Sequence, residues 1–144
     1  MSDEGSRGES TGAVRSVGFI GLGNMGGRMA RCLVSGGHDV LGFDTRPENI
    51  DDSGSRAAGS AKEVAAASDI VLLSLPHSRV VESVVRGDGG ILANCRPGQI
   101  VVDLSTSEPR STVALAAELA GDDVRAELEA YREDLKKVDR KSVV

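Results

Sequence analysis

The stretch VGFIGLGNMGGRMARCLVSGG, residues 17–37, constrains the fold of this chain more than any other feature. A largely apolar run ends at Ile20 and is followed directly by a glycine. Three residues later, residues 24–35 place apolar side chains at the spacing of one helix face, and a pair of glycines follows them. We therefore predict a buried strand over residues 13–20, a tight glycine turn and a helix over residues 24–35.

Short apolar runs and helical patterns alternate along the rest of the chain. The further predicted strands cover residues 38–44, 69–76 and 98–106, with a brief strand near residues 57–58. The further predicted helices cover residues 61–67, 78–85 and 109 to about 120, and the turn-rich segment 45–60 allows at most a short helix. Such alternation is typical of an α/β fold, in which helices cover both faces of a parallel sheet.

Three glycines in the turn, Gly21, Gly23 and Gly26, spell G-x-G-x-x-G between the first strand and the first helix. Gly21 allows a tight turn, Gly23 lets a pyrophosphate approach the backbone, and Gly26 lets the helix pack close to the strand. The helix N-terminus offers free N–H groups to the phosphates. Asp44 ends the next strand, close to the spacing at which an acid binds the adenosine ribose hydroxyls. The pattern predicts a Rossmann-type doubly wound sheet that binds a dinucleotide; the alternative is a purely connecting turn.

Two residues bear on which dinucleotide is bound. The carboxylate of Asp44 would repel the additional phosphate of NADP, which favours NAD. Arg46, two residues further on, could instead receive that 2′-phosphate, or it could be an ordinary exposed loop residue. We therefore predict NAD as the cofactor and keep NADP as the alternative.

The chain also resembles a known family. GFIGLGNMGGRMARCLVSGG is similar to the N-terminal signature of the β-hydroxyacid dehydrogenases, which include 3-hydroxyisobutyrate dehydrogenase and have 6-phosphogluconate dehydrogenase as a relative. Three later stretches agree with that family in order and spacing: GHDVLGFDTRPE, VLLSLPHSRVVESVV and GGILANCRPGQIVVDLSTSEP. Cys32 departs from the pattern, because the family usually has a polar residue such as Asn there. The resemblance covers roughly residues 14–120.

The resemblance implies roles for residues that follow the later strands. Leu75 and Pro76 would line the cofactor near the nicotinamide ribose, Thr106 would contact the cofactor, and Ser105 would help to bind the substrate carboxylate. Ser105 and Thr106 could also cap the helix that begins near Pro109. The complete expected cofactor-binding set is Gly21, Leu22, Gly23, Asn24, Met25, Gly26, Asp44, Arg46, Leu75, Pro76 and Thr106. We expect His77 to be an exposed loop residue and His38 to be structural.

The resemblance ends near residue 120, before the segments that carry the family's substrate loop and catalytic Lys. The lysines of this chain are Lys62, Lys136, Lys137 and Lys141, and none lies in a stretch like that catalytic helix. We therefore nominate no catalytic residue. In the full-length family the cofactor exchanges a hydride with a small 3-hydroxy acid, and we expect this chain not to catalyse that reaction alone. The alternatives are a non-catalytic nucleotide-binding or interaction module and one half of a split enzyme.

The two ends of the chain differ from its centre. Residues 1–12 are polar and Gly/Ser-rich, and we expect them to be a disordered leader. Residues 121–144 are dense in charge and carry an apolar stripe at helical spacing, formed by Val124, Leu128, Tyr131, Leu135 and Val138. We expect this amphipathic helix to pack on its own domain, although it could bind a partner or come from a truncated reading frame. We expect the sheet to be open beside residues 99–103. The tail helix would cover this edge, or the chain would self-associate or bind a partner chain through the edge or the tail.

Composition excludes several other classes of function. The net charge of −5 comes with mixed signs and no basic stripe, so we expect no nucleic-acid partner. Cys32 and Cys95 are far apart with no metal-ligand spacing, which argues against a disulfide or a metal site. The apolar runs are too short to span a bilayer, so we expect no membrane partner and, by default, a cytoplasmic location.

Overall fold

The computed structural model describes residues 15–120, which form a parallel sheet covered by helices on both faces. The strands are β1 (Val17–Ile20), β2 (Val40–Phe43), β3 (Arg56–Ala57), β4 (Ile70–Leu73) and β5 (Ile100–Asp103). The helices are α1 (Asn24–Ser35), α2 (Pro47–Ser53), α3 (Ala61–Ala67), α4 (Ser78–Arg86), α5 (Ile91–Asn94) and α6 (residues 109–120). The predicted α/β class and doubly wound sheet are confirmed.

The order of the strands determines where a ligand can bind. The five strands lie in the order β3-β2-β1-β4-β5, and every neighbouring pair is parallel. The chain therefore builds one half of the sheet outward from β1 and then returns to place β4 on the other side of β1. Parallel sheets bind ligands outside the carboxyl ends of the strands at such a reversal. The glycine turn follows β1 at this position.

Alternate side chains of the strands pack into two separate cores. On one face, Phe19 of β1 is fully buried among side chains of α1 and α2. On the other face, Ile20 and Leu73 pack with side chains of α3, α4 and α6. The alternation follows from the pleat of a strand, which points successive side chains to opposite faces. The two cores thus lie on opposite faces of the sheet.

The observed elements match the predicted ones best where local sequence signals are strong. The predicted bounds of α1 and α3 agree with the structure, and α4 continues one residue further than predicted. The strands are shorter than predicted, because ladder pairing covers only four residues of β1, β2, β4 and β5. Residues 74–76 and 104–106 were predicted as strand ends but lie in the loops after β4 and β5. The short helix α5 was not predicted.

The strand β5 lies at the edge of the sheet, as the sequence predicted. It pairs with β4 and is last in the strand order of residues 15–120. Ile100 in β5 is 43% exposed, whereas Val71 in the neighbouring β4 is fully buried. An edge strand presents unpaired main-chain N–H and C=O groups, with which a further strand can pair. The predicted leader, residues 1–12, and the predicted tail helix, residues 121–144, lie outside the described residues.

Candidate functional site

The glycine turn after β1 is packed tightly at two of its three glycines. Gly21 has a φ of +92°, which L-residues with a side chain rarely adopt, and its N–H donates to the Phe43 carbonyl oxygen at 3.0 Å. A Cβ on Gly21 would overlap the carbonyl oxygen of Ser74. A Cβ on Gly26 would overlap the carbonyl oxygen of Gly21. These two glycines therefore bring α1 and the loop after β4 against the end of β1.

The middle glycine has the opposite environment. Gly23 is the N-cap of α1, and a Cβ built on it would have no atom within 4 Å. No side chain caps the helix, and its first turn contains no acidic residue. The first N–H groups of a helix lack partners inside the helix, and here no side chain supplies one. The space above Gly23 therefore suits an anionic group such as a pyrophosphate.

Asp44, at the end of β2, holds the glycine turn in place. Its Oδ2 accepts a hydrogen bond from the Leu22 N–H at 2.8 Å. Its Oδ1 accepts from the Arg46 N–H at 2.8 Å and from the Asn49 side-chain amide at 3.1 Å. A carboxylate has about four acceptor positions. The protein therefore fills three of them, and about one is left for a ribose hydroxyl.

An apolar groove of about 570 Å³ joins these features at the carboxyl ends of β1 and β4. It brings together most of the predicted cofactor-binding residues, namely Gly21, Gly23, Asn24, Met25, Gly26, Asp44, Leu75 and Pro76. Met25 is 69% exposed and lines the groove from the side of α1. Leu22 and Arg46 line a neighbouring polar pocket instead, and Thr106 lines neither cavity.

Several residues of the groove were missed by the sequence analysis. Phe43, Thr45 and Ser74 adjoin residues that were predicted, so their positions next to strand ends were the available signal. Val80 and Val84 come from α4 and line the groove through their spacing of one helical turn. That spacing predicts one face of a helix, but it does not indicate that the face borders a ligand site.

Ser105 has a clear contact within the protein. Its Oγ accepts a hydrogen bond from the Leu75 N–H at 2.8 Å, and its own N–H donates to Asp103 Oδ1 at 2.9 Å. It thus ties the loop after β5 to the loop after β4. Within the described residues, neither Ser105 nor Thr106 accepts a hydrogen bond from the start of α6. The N–H of Glu108, just before that helix, donates to Ser78 Oγ. The substrate contact implied for Ser105 stays a prediction.

Replacing Ser105 with Ala should lower the free energy of unfolding by about 1–2 kcal/mol, because the partly buried Leu75 N–H loses its acceptor. Urea unfolding followed by circular dichroism measures this loss. Thr106→Ala is the matched control, because the exposed Thr106 is expected to contribute less than about 0.5 kcal/mol. Equal stability of the two variants would contradict the bracing role of Ser105.

His77, Lys62 and His38 do not line the groove. His77 is an exposed N-cap of α4 without a side-chain capping bond, and Lys62 is exposed on α3. His38 is exposed and borders a different cavity, beside Cys32 on α1. Within residues 15–120, no group of three or more His, Cys, Asp or Glu side chains is arranged to hold a metal ion. None of the helices described is long and apolar enough to cross a membrane.

Residues 16–126 match a family model described as the NAD binding domain of 6-phosphogluconate dehydrogenase. The chain belongs to this family. It is therefore an NAD(P)-binding domain, and the predicted resemblance to the β-hydroxyacid dehydrogenases is confirmed. The match includes every residue of the glycine turn and of the groove described above.

Individual proteins that the chain resembles are about three times as long as the matched region. The chain is 43% identical over 103 residues to 2-(hydroxymethyl)glutarate dehydrogenase of Eubacterium barkeri. That alignment covers 69% of this chain and 34% of the relative. Mycobacterium tuberculosis 3-hydroxyisobutyrate dehydrogenase, solved with L-serine, superposes with a TM-score of 0.69 at 32% identity, covering 74% and 37% of the two chains. Psf3, solved with NADP+ and 2-OPP, superposes with a TM-score of 0.68 at 32% identity, and the match covers 72% of this chain and 38% of Psf3. The chain thus spans about a third of the length of the relatives it matches.

Proposed function

We propose that the groove binds a nicotinamide dinucleotide with its pyrophosphate above Gly23. The open space at this glycine carries the proposal, because a Cβ there would fill it while no protein atom does. The pyrophosphate would accept hydrogen bonds from the first N–H groups of α1, which lack side-chain acceptors. The adenosine ribose would use the remaining acceptor position of Asp44.

The nicotinamide half would lie at the other end of the groove. Leu75 and Pro76 line the groove there, and the hydrogen bond from Leu75 N–H to Ser105 Oγ fixes their loop. Met25 would cover the cofactor from the side of α1. Apolar contacts of this kind exclude water and orient the ring without taking part in the chemistry. Thr106, beside Ser105, is proposed to contact the cofactor through the same loop.

The bound cofactor would supply hydride transfer, and this chain would bind and orient it. No residue among 15–120 is nominated to move the proton of a substrate hydroxyl, because Lys62 is exposed and does not line the groove. We assign the chain to the cofactor-binding part of a dehydrogenase acting on a small 3-hydroxy acid. The group that moves this proton, and further groups that bind the substrate, are proposed to lie outside residues 15–120.

The proposed organisation has a cofactor domain at residues 13–120, with a leader at 1–12 and an amphipathic segment at 121–144. The exposed apolar edge at β5 is the proposed place for contact with a second copy or a partner chain. A cytoplasmic location remains a prediction. Size-exclusion chromatography with light scattering over a range of protein concentrations tests the oligomer proposal directly.

Calorimetric titration of the purified chain with NADH, and separately with NADPH, tests the proposed function. Saturable binding with a stoichiometry of one per chain is expected for at least one of the two cofactors. Absence of binding to both, by a chain that circular dichroism shows to be folded, would overturn the proposal and favour a non-catalytic interaction module. A split enzyme predicts binding by this chain alone and turnover only with a second chain added.

A further inference from the structure

Helix α4 forms one wall of the cofactor groove and also packs against α6. Val80 and Val84 of α4 line the groove, whereas no residue of α6 does. Val81 of α4 is buried in the same core as Leu115 of α6. Successive residues of a helix point in different directions, so α4 can border the ligand site and contact α6 at once. The position of α4 on α6 therefore determines how close this wall lies to the glycine turn.

Two polar contacts join α4 to α6. Arg86 donates through Nε and Nη2 to the carboxylate of Glu118, with the shortest contact at 2.7 Å. Ser111 Oγ donates to Glu82 Oε1, also at 2.7 Å. Within residues 15–120, the side chains of α4 form hydrogen bonds and ion pairs to other elements only with residues 108–118. The polar contacts of α4 thus hold it to α6 and not to the sheet.

The loop that precedes α4 is held by the same part of the chain. The Leu75 N–H donates to Ser105 Oγ at 2.8 Å, and Ser78 Oγ accepts from the Glu108 N–H at 2.7 Å. Leu75 lines the groove, and Ser78 begins α4. Residues 105–118 therefore run beside this side of the groove and support it from Leu75 to the end of α4.

We infer that Glu118 and Ser111 are positioning residues for the cofactor, which hold the α4 wall of the groove in place through Arg86 and Glu82. This inference rests on the proposed function. An Arg and a carboxylate that share two hydrogen bonds keep a defined mutual orientation, so the pair fixes α4 in direction as well as in distance. Because coupling between sites is reciprocal, a cofactor that contacts α4 should also stabilise the packing of α6.

Hydrogen–deuterium exchange of the full chain, with and without saturating NADH, measures this reciprocal effect. We expect NADH to slow the exchange of α6 amides in the parent chain, although α6 does not line the groove. The slowing should be smaller in the double variant Ser111→Ala/Glu118→Ala, in which both contacts from α6 are removed. Equal exchange of α6 with and without NADH, in a chain that binds NADH, would overturn the inference.

Calorimetric titration with NADH measures the effect on affinity. Glu118→Ala should weaken binding about fivefold, the largest effect that an exposed ion pair usually supplies. Because Glu118 acts through Arg86, the double variant Arg86→Ala/Glu118→Ala should also lose about fivefold and not the product of two losses. Asp39→Ala is the matched control, because Asp39 forms a similar two-bond ion pair with Arg56 and neither residue lines the groove. It should keep the parental affinity.

Parental affinity in Glu118→Ala would overturn the inference and leave the proposed function standing. Losses that multiply in the double variant would show that Glu118 does not act through Arg86, and would also overturn it. An equal loss in Asp39→Ala would assign the effect to net charge instead of the position of α4. Failure of the folded parent chain to bind NADH or NADPH would overturn the proposed function itself, and the inference with it.

Discussion

Replacing Gly23 with Val should abolish binding of both NADH and NADPH while leaving the chain folded. The two methyl groups of Val would occupy the open space above the N-terminus of α1, where the pyrophosphate is proposed to lie. No protein atom lies within 4 Å of the added Cβ, so the Cβ itself meets no overlap within the protein. Loss of the favourable N-cap glycine should cost about 1 kcal/mol at most. Calorimetric titration measures binding, and urea unfolding measures stability.

A second open glycine provides the control for this variant. Gly89 also has no atom within 4 Å of a built Cβ and does not line the groove. Gly89→Val should therefore keep the cofactor affinity of the parent chain. Unchanged affinity in Gly23→Val would show that the dinucleotide does not approach α1 at this glycine, and the proposed orientation of the cofactor would be wrong.

Replacing Gly26 with Ala should mainly affect stability, unlike Gly23→Val. The free energy of unfolding should fall by about 2 kcal/mol or more. A Cβ at this position would overlap the carbonyl oxygen of Gly21, and a backbone oxygen cannot move aside as a flexible side chain can. Overpacking of this kind typically costs about 1–3 kcal/mol and sometimes more. The better helix propensity of Ala, about 1 kcal/mol, offsets part of that cost. The midpoint of urea unfolding is the measurement.

Gly23→Ala is the matched control for Gly26→Ala, because the same methyl group is added three residues away in open space. Its stability should stay within about 1 kcal/mol of the parent chain. A Gly26→Ala chain as stable as Gly23→Ala would mean that α1 lies further from the turn than the structure has it. Together the variants assign separate roles to neighbouring glycines, one in ligand approach and one in packing.

The parts of the fold that the sequence predicted well are those stabilised by neighbours in the chain. The predicted start of α3 agrees with the structure because Ser60 accepts a hydrogen bond from the Glu63 N–H while Glu63 accepts one from the Gly59 N–H. The end of α1 was predicted from two glycines, and the N–H of Gly36 bonds back to the Cys32 carbonyl. By contrast, α5 spans only four residues, too few for a helical period to be recognised.

In the candidate site too, features encoded by a short stretch of sequence were predicted, and contacts between separate elements were not. The spacing of Gly21, Gly23 and Gly26 and the acid at position 44 were enough to predict a dinucleotide site. The spacing also assigned tight positions to Gly21 and Gly26 and an open one to Gly23, and the structure has the same arrangement. What the spacing did not reveal is the atoms in contact, the Ser74 carbonyl against Gly21 and the Gly21 carbonyl against Gly26.

The sequence by itself determined the order of strands and helices, the glycine turn and the class of cofactor, because each is encoded by residues within about one element of one another. Only the tertiary structure placed Ser105 Oγ against the Leu75 N–H, thirty positions apart in the chain. It alone brought Arg28 and Arg46 into one pocket and surrounded the Asp44 carboxylate with three donors. Contacts between separate elements depend on how the helices pack on the sheet, and a local pattern carries no record of that packing.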